Sequence, residues 1–145
     1  MACIGNELVA DDAVGFEIYR RLAGIDARLA YLSLGGVDML PLLNGERVLV
    51  VVDAVELGSA PGTVHLIEWD ALPQSKGAIS AHGLGLRETV EIGRLLYPER
   101  MPARITLVGI EGRCFDRPRQ FMSRAVSEAI EPALFIIKEV VGGNR

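Results

Sequence analysis

Hydrophobic positions along this chain repeat with two different periods. After the short apolar lead MACI, Val14, Ile18 and Leu22 recur at i, i+4 and i+8, which is one face of a helix. ARLAYLSL alternates as a strand does, Gly35 and Gly36 break it, and VDMLPLLNG, with Pro41 inside, reads as a short helical or irregular segment. RVLVVVDAV is continuous and β-branched, the pattern of a strand covered on both faces of a parallel sheet, so it is predicted to be the central strand. GSAPG is a turn, and TVHLIEW sets Val64, Leu66 and Trp69 against His65 and Glu68, predicting an edge strand with one wetter face. The short turn between these two runs predicts that they pair antiparallel. A loop, DALPQSKGAISAHG, leads to LGLRETVEIGRLLY, where Leu86, Val90 and Leu96 make a helical face. ARITLVGIEG predicts a fifth strand. FMSRAVSEAIEPALFIIKEVV predicts a long final helix that Pro132 kinks or locally adjusts. The order βαβαββαβα predicts a three-layer α/β/α domain spanning 1–145, with a mixed, mostly parallel five-stranded sheet and one antiparallel strand.

Composition narrows the partners. With 145 residues, 50% of them hydrophobic, the chain is long enough for one domain with a substantial core. Its net charge of -4 argues against sequence-independent binding to nucleic acid or to an anionic membrane, both of which need basic surface. The longest strongly apolar run, VLVVV, stops at Asp53, and no basic lead precedes a long apolar stretch. The expectation is a soluble, cytoplasmic protein. Cys3 and Cys114 stand far apart with no metal-like spacing, which fits reduced thiols.

In open α/β sheets, ligands bind beyond the carboxyl ends of the strands, where successive connections leave in opposite directions. Three residues of metal-ligand type fall at such positions. Asp12 follows strand one at a helix start, Asp53 ends the predicted central strand, and His82 precedes the third helix. If strands one and three are neighbours, the two carboxylates converge. Two carboxylates and one imidazole suit a borderline divalent ion such as nickel or zinc, with positions left open for a substrate. Each residue also has a structural explanation. An N-cap accounts for Asp11 or Asp12, a turn hydrogen bond accounts for Asp53, and a place on the polar face of a strand accounts for His65. Arg113, Arg117, Arg119 and Arg124 form a basic cluster that could hold an acidic peptide or carboxylate, with a solvated loop as the simpler reading. No GxGxxG follows a strand, and there is neither a GxSxG nor an adjacent Cys/His pairing.

GNELVADDAVG, VVVDAV, APGTVHLIE, ISAHGLGL, ITLVGIEG and VSEAIEPAL, in that order along nearly the whole chain, resemble the successive motifs of the hydrogenase maturation endopeptidases. The resemblance implies a peptidase that removes a C-terminal extension from the precursor of a nickel-iron hydrogenase large subunit after nickel is in place. It implies that Asp12, Asp53 and His82 are the metal contacts and catalytic residues, that Asp11 is the cap or turn residue, and that nickel arrives bound to the precursor. Zinc or cadmium could substitute in vitro. The partner implied is the large-subunit precursor, met by a monomer. Aspartate at position 12, where some relatives carry glutamate, shortens the reach by one methylene, so the helix start must sit closer to the metal.

The chain departs from the family pattern in several places. Only four residues precede Gly5, so strand one is expected to be short or the recorded start to lie downstream of the true one. Cys3 occupies the first glycine position of the Gly-x-Gly-Asn turn, Leu34 stands where relatives often have aspartate, and Gly112 where they often have proline. Two rival functions share the motif set: an autonomous peptidase carrying its own zinc, and a nickel-checking chaperone on the same scaffold without catalysis. The residues leave open whether a metal polarises the scissile carbonyl or a carboxylate acts as base toward water.

Overall fold

In the computed structural model, which describes residues 1–33, 35–72 and 85–144, the β-branched run becomes β3 (Val48–Val55), seven of whose eight residues are buried. Around it lie β1 (Ala2–Ile4), β2 (Ala30–Leu32), β4 (Val64–Glu68) and β5 (Arg104–Glu111), in the order β2-β1-β3-β5-β4. β3 is therefore the central strand. The pairs β1–β2, β1–β3 and β3–β5 are parallel, and β4 runs antiparallel to β5. The expected pairing of β3 with β4 is not formed, because β5 lies between them. β5 is buried at seven of its eight positions and needs cover on both faces, whereas β4 carries the exposed Leu66 and Glu68 and tolerates the edge.

Alternation along β3 splits the core in two. Val51 and Val55 join Ala2, Ile4, Ile105 and Leu107 in packing against Leu86 and Val90 of α2 (Leu86–Leu96). Val50, Val52 and Ala54 point the other way, with Cys3, Val108 and Ile110, onto α1 (Val14–Arg21) and α3 (Arg124–Gly143). Fully burying one such aliphatic side chain contributes about 1.5 to 3 kcal/mol, so both layers hold the sheet firmly. Val14, Ile18 and Leu22 are all buried, as their spacing predicts.

Other elements differ from expectation for local reasons. β2 is limited to three residues because β1 offers only three partners. Leu66 is 53% exposed, and Ile67 takes the place facing the α2 core. Leu96 is also exposed, because the buried stripe of α2 continues through Gly93, packed tightly against Met101 and Leu40. The segment Gly36–Leu42 is a 3₁₀ helix containing Pro41, and α3 remains helical across Pro132. No helix among the described residues is long and apolar enough to cross a membrane.

Candidate functional site

The adjacent ends of β1 and β3 form the floor of the site. Ala2 pairs with Val51 and Cys3 with Val52, which brings Ile4 level with Asp53. Asp53 is not the last residue of β3, since the strand continues to Val55, and its side chain is fully buried on the face that carries α2. Gly109 of β5 lies in register beside it, and His65 of β4 lies in register beyond Gly109. Asp12 sits in the 3₁₀ turn Asp11–Ala13, which packs against β3, and is 2% exposed. Its Oδ2 accepts a hydrogen bond from the Asn6 N–H at 2.9 Å.

Two glycines allow this approach. A Cβ on Gly15 would overlap the carbonyl oxygen of Ile4, and one on Gly5, whose φ is +151°, would overlap that of Asp12. The turn bearing Asp12 is thus pressed against the end of β1 by backbone contact, leaving it little freedom to shift.

Neither neighbouring aspartate caps its own helix, contrary to expectation. The fully buried Asp11 carboxylate reaches across the chain instead. It accepts bonds from the Arg113 and Cys114 N–H groups at 2.9 Å each, from Ser123 N–H at 2.6 Å and from Ser123 Oγ at 2.8 Å. Asp11 therefore ties the loop after β5 and the entrance to α3 to the turn that holds Asp12. A second buried carboxylate, Glu111 at the end of β5, does the same for another loop, accepting from the N–H groups of Leu57, Gly58 and Ser59 and lying 3.1 Å from His65 Nε2. Sequence reasoning passed over Glu111. Its signal was a carboxylate closing the otherwise apolar run ITLVGIE, a place where a buried charge must find hydrogen bonds.

The structure separates the basic cluster. Arg119 forms an ion pair with Glu17 and stands 5.2 Å from the Phe16 ring centre, and Arg124 pairs with Glu128 at 2.7 Å. Loops 8–10 and 117–119 are joined by Ala10 N–H to Arg117 O and Arg119 N–H to Leu8 O, each 3.0 Å. Gly112 donates its N–H to Val55 O at 3.0 Å, a bond that proline at this position could not make. Cys3 is sealed in the α1/α3 layer, where burial pushes its thiol up to about 12.

His82 and Leu34 lie outside the described residues. Among the described residues, no three His, Cys, Asp or Glu side chains come together as a metal site. The structure thus packs the turn that bears Asp12 against β3, the strand that bears Asp53.

Comparison with known proteins gives consistent matches. The family model described as hydrogenase maturation protease (HycI) matches residues 33–140. The hydrogenase expression/formation protein HupD of Rhodobacter capsulatus is 33% identical over 115 residues, 74% of this chain and 54% of that protein. A putative hydrogenase maturation protease of Methanocaldococcus jannaschii is 27% identical over 142 residues, 92% of this chain and 89% of that protein. The chain spans only 54 to 62% of the length of three HupD relatives. Among solved structures, the hydrogenase maturating endopeptidase HybD from E. coli superposes with a TM-score of 0.81 at 25% identity, covering 99% of this chain and 91% of that one. The [NiFe] hydrogenase maturation protease HybD from Thermococcus kodakarensis gives 0.76 at 25% identity, with coverages of 97% and 96%.

Proposed function

This chain belongs to the hydrogenase maturation protease family, and we propose that it is an endopeptidase that removes the C-terminal extension of a nickel-loaded [NiFe]-hydrogenase large-subunit precursor, with Asp12, Asp53 and His82 as the residues that meet the substrate's metal. The observation that carries this reading is the pair of buried acidic residues: Asp12 in the turn that follows β1 and packs against β3, and Asp53 in the carboxyl-terminal half of β3, the strand paired in parallel with β1. Both stand toward the carboxyl ends of parallel strands, where ligands gather in open α/β sheets.

Carboxylate and imidazole donors leave room around a nickel ion that the precursor already holds. The metal is part of the substrate in this reading, and the protein's task is to recognise it and align the peptide. Asp53 is fixed by the central strand. Asp12 is fixed by the Gly5 and Gly15 backbone contacts and by the Asn6 N–H on its Oδ2. Such rigid placement can lower the barrier by about 7 to 11 kcal/mol if the scissile carbonyl and a water are held in line. The nucleophile is water: its oxygen bonds to the carbonyl carbon, the C–N bond breaks, and the amine leaves protonated. A buried carboxylate at hydrogen-bond distance is competent to take the proton from that water. Cys3 and Cys114, which form no disulfide, fit a reducing cytoplasmic setting, in which the protein acts as a monomer on a large partner.

The test is a substitution panel. Asp12→Asn, Asp53→Asn and His82→Gln each keep the far-ultraviolet circular dichroism of the parent and lose precursor cleavage by a factor of at least 100. Full activity in any two of them refutes the assignment.

A further inference from the structure

The four arginines are unequal. Arg119 and Arg124 are committed to Glu17 and Glu128. Among the described residues, Arg113 and Arg117 form no ion pair, and Arg117 holds its guanidinium 5.2 Å from the centre of the exposed Phe121 ring. Both line a cavity of about 420 Å³ together with Cys114, Asp116, Phe121 and Ser123. Among the lining residues two guanidinium groups stand against the one carboxylate of Asp116, while the Asp11 carboxylate behind the rim is buried and engaged by four hydrogen bonds, so the exposed lining is cationic on a chain whose net charge is -4.

The cavity is tied to the turn that bears Asp12. Asp11 accepts from Arg113 N–H and Cys114 N–H on one rim and from Ser123 on the other, and the next residue in the chain is Asp12. The strand-like bridge between Val9 and Pro118 joins the segment before Asp11 to the loop that carries Arg117, and beside it Leu8, 70% exposed, and Phe121, 49% exposed, offer apolar surface. Guanidinium groups match carboxylates in a bidentate fork, and a cationic cavity with apolar flanks fits an acidic stretch of polypeptide carrying one or two apolar side chains.

We infer that this cavity is a docking subsite for the precursor, in which Arg113 and Arg117 hold acidic side chains of the segment flanking the scissile bond while Leu8 and Phe121 receive its apolar side chains. The inference rests on the peptidase reading and adds to it a specificity surface formed by residues of this chain. Arg113 and Arg117 are positioning residues. They affect how the precursor is captured and leave the chemical step alone.

The experiment follows cleavage of nickel-loaded precursor by intact mass, giving KM and kcat for the parent, Arg113→Gln/Arg117→Gln and Arg113→Glu/Arg117→Glu, at low and high salt. Both side chains are exposed, so melting temperatures should match the parent. The neutral pair raises KM about tenfold with kcat within about twofold, and the reversed pair raises it further. Added salt raises the parent's KM and leaves that of the neutral pair nearly unchanged. A precursor whose acidic side chains in this segment are changed to amides reproduces the tenfold loss with the parent and shows no further loss with the arginine variants. Cleavage with unchanged KM in both variants overturns the subsite and leaves the peptidase reading standing. If the parent does not cleave at all, a fluorescent peptide of the same segment separates the two claims. Binding that disappears in the arginine variants keeps the surface while the peptidase reading falls, and binding indifferent to them ends both.

Discussion

Two adjacent aspartates that look alike in sequence take opposite roles. Asp11 accepts four hydrogen bonds from residues 102 to 112 positions away, whereas Asp12, whose Oδ2 accepts from the Asn6 N–H six positions away, is the candidate for the chemistry. The sequence assigns Asp11 to a cap or turn and Asp12 to the metal, and the structure shows that Asp11 caps neither the 3₁₀ turn nor α1. The Asp11 network is not legible in the sequence, since nothing in a linear pattern marks a backbone N–H about 100 residues on as a partner; Glu111 carries a signal of burial in the apolar run it closes, but none for its partners at Leu57, Gly58 and Ser59. Stranding buried donors is costly, so Asp11→Ala should lose about 4 kcal/mol of unfolding free energy in urea, whereas Asp12→Asn should lose less than about 1 kcal/mol. Equal losses would contradict this division. The cysteines differ too. Iodoacetamide should add one label to the native protein, at Cys114, and two after denaturation. Because burial raises the Cys3 thiol from 9.0 to about 12, the folded state keeps its proton where the unfolded state loses it. Stability from this group is intact below pH 9 and declines by about 1.4 kcal/mol per pH unit from there toward 12. Urea denaturation of Cys3→Ala beside the parent at pH 8 and pH 10.5 should show the difference between them shrinking as pH rises.

Elements with strong periodicity were readable; their neighbours were less so. β3, β5 and the α1 stripe follow directly from where valine, isoleucine and leucine recur. The position of β4 does not, because a short β3–β4 turn permits a hairpin, and only the need to cover β5 on both sides moves β4 to the edge. Leu96 fits a helical face on paper and is exposed because Gly93 lets Met101 and Leu40 close in first. Glycine spacing of this kind gives a sharp contrast. Gly15→Ala drives a Cβ into the Ile4 carbonyl and should cost more than about 3 kcal/mol, while Gly142→Ala, in the last turn of α3 with nothing within 4 Å, should gain about 0.5 to 1 kcal/mol. Thermal denaturation of the two variants decides it. A tolerated Gly15→Ala would mean that the turn bearing Asp12 is not pressed against β1.

At the scale of the molecule, the fold fixes two carboxylates at one end of a rigid sheet, and the loop after β5 turns a cationic cavity toward the same end. The sheet rule points to that end from sequence, since ligands gather beyond the carboxyl ends of parallel strands. The cavity was legible only as a run of arginines, because their partners, Glu17 and Glu128, come from two different helices. The central claim is that this protein cuts a precursor and reads its metal before doing so. Intact mass spectrometry of a hydrogenase large-subunit precursor, nickel-loaded and nickel-free, with and without the protein, tests it most directly. The account predicts loss of one C-terminal peptide only when nickel and protein are both present. An unchanged mass in the nickel-loaded sample, with the protein still bound to the precursor, would contradict it and leave a scaffold that inspects its partner without cutting it.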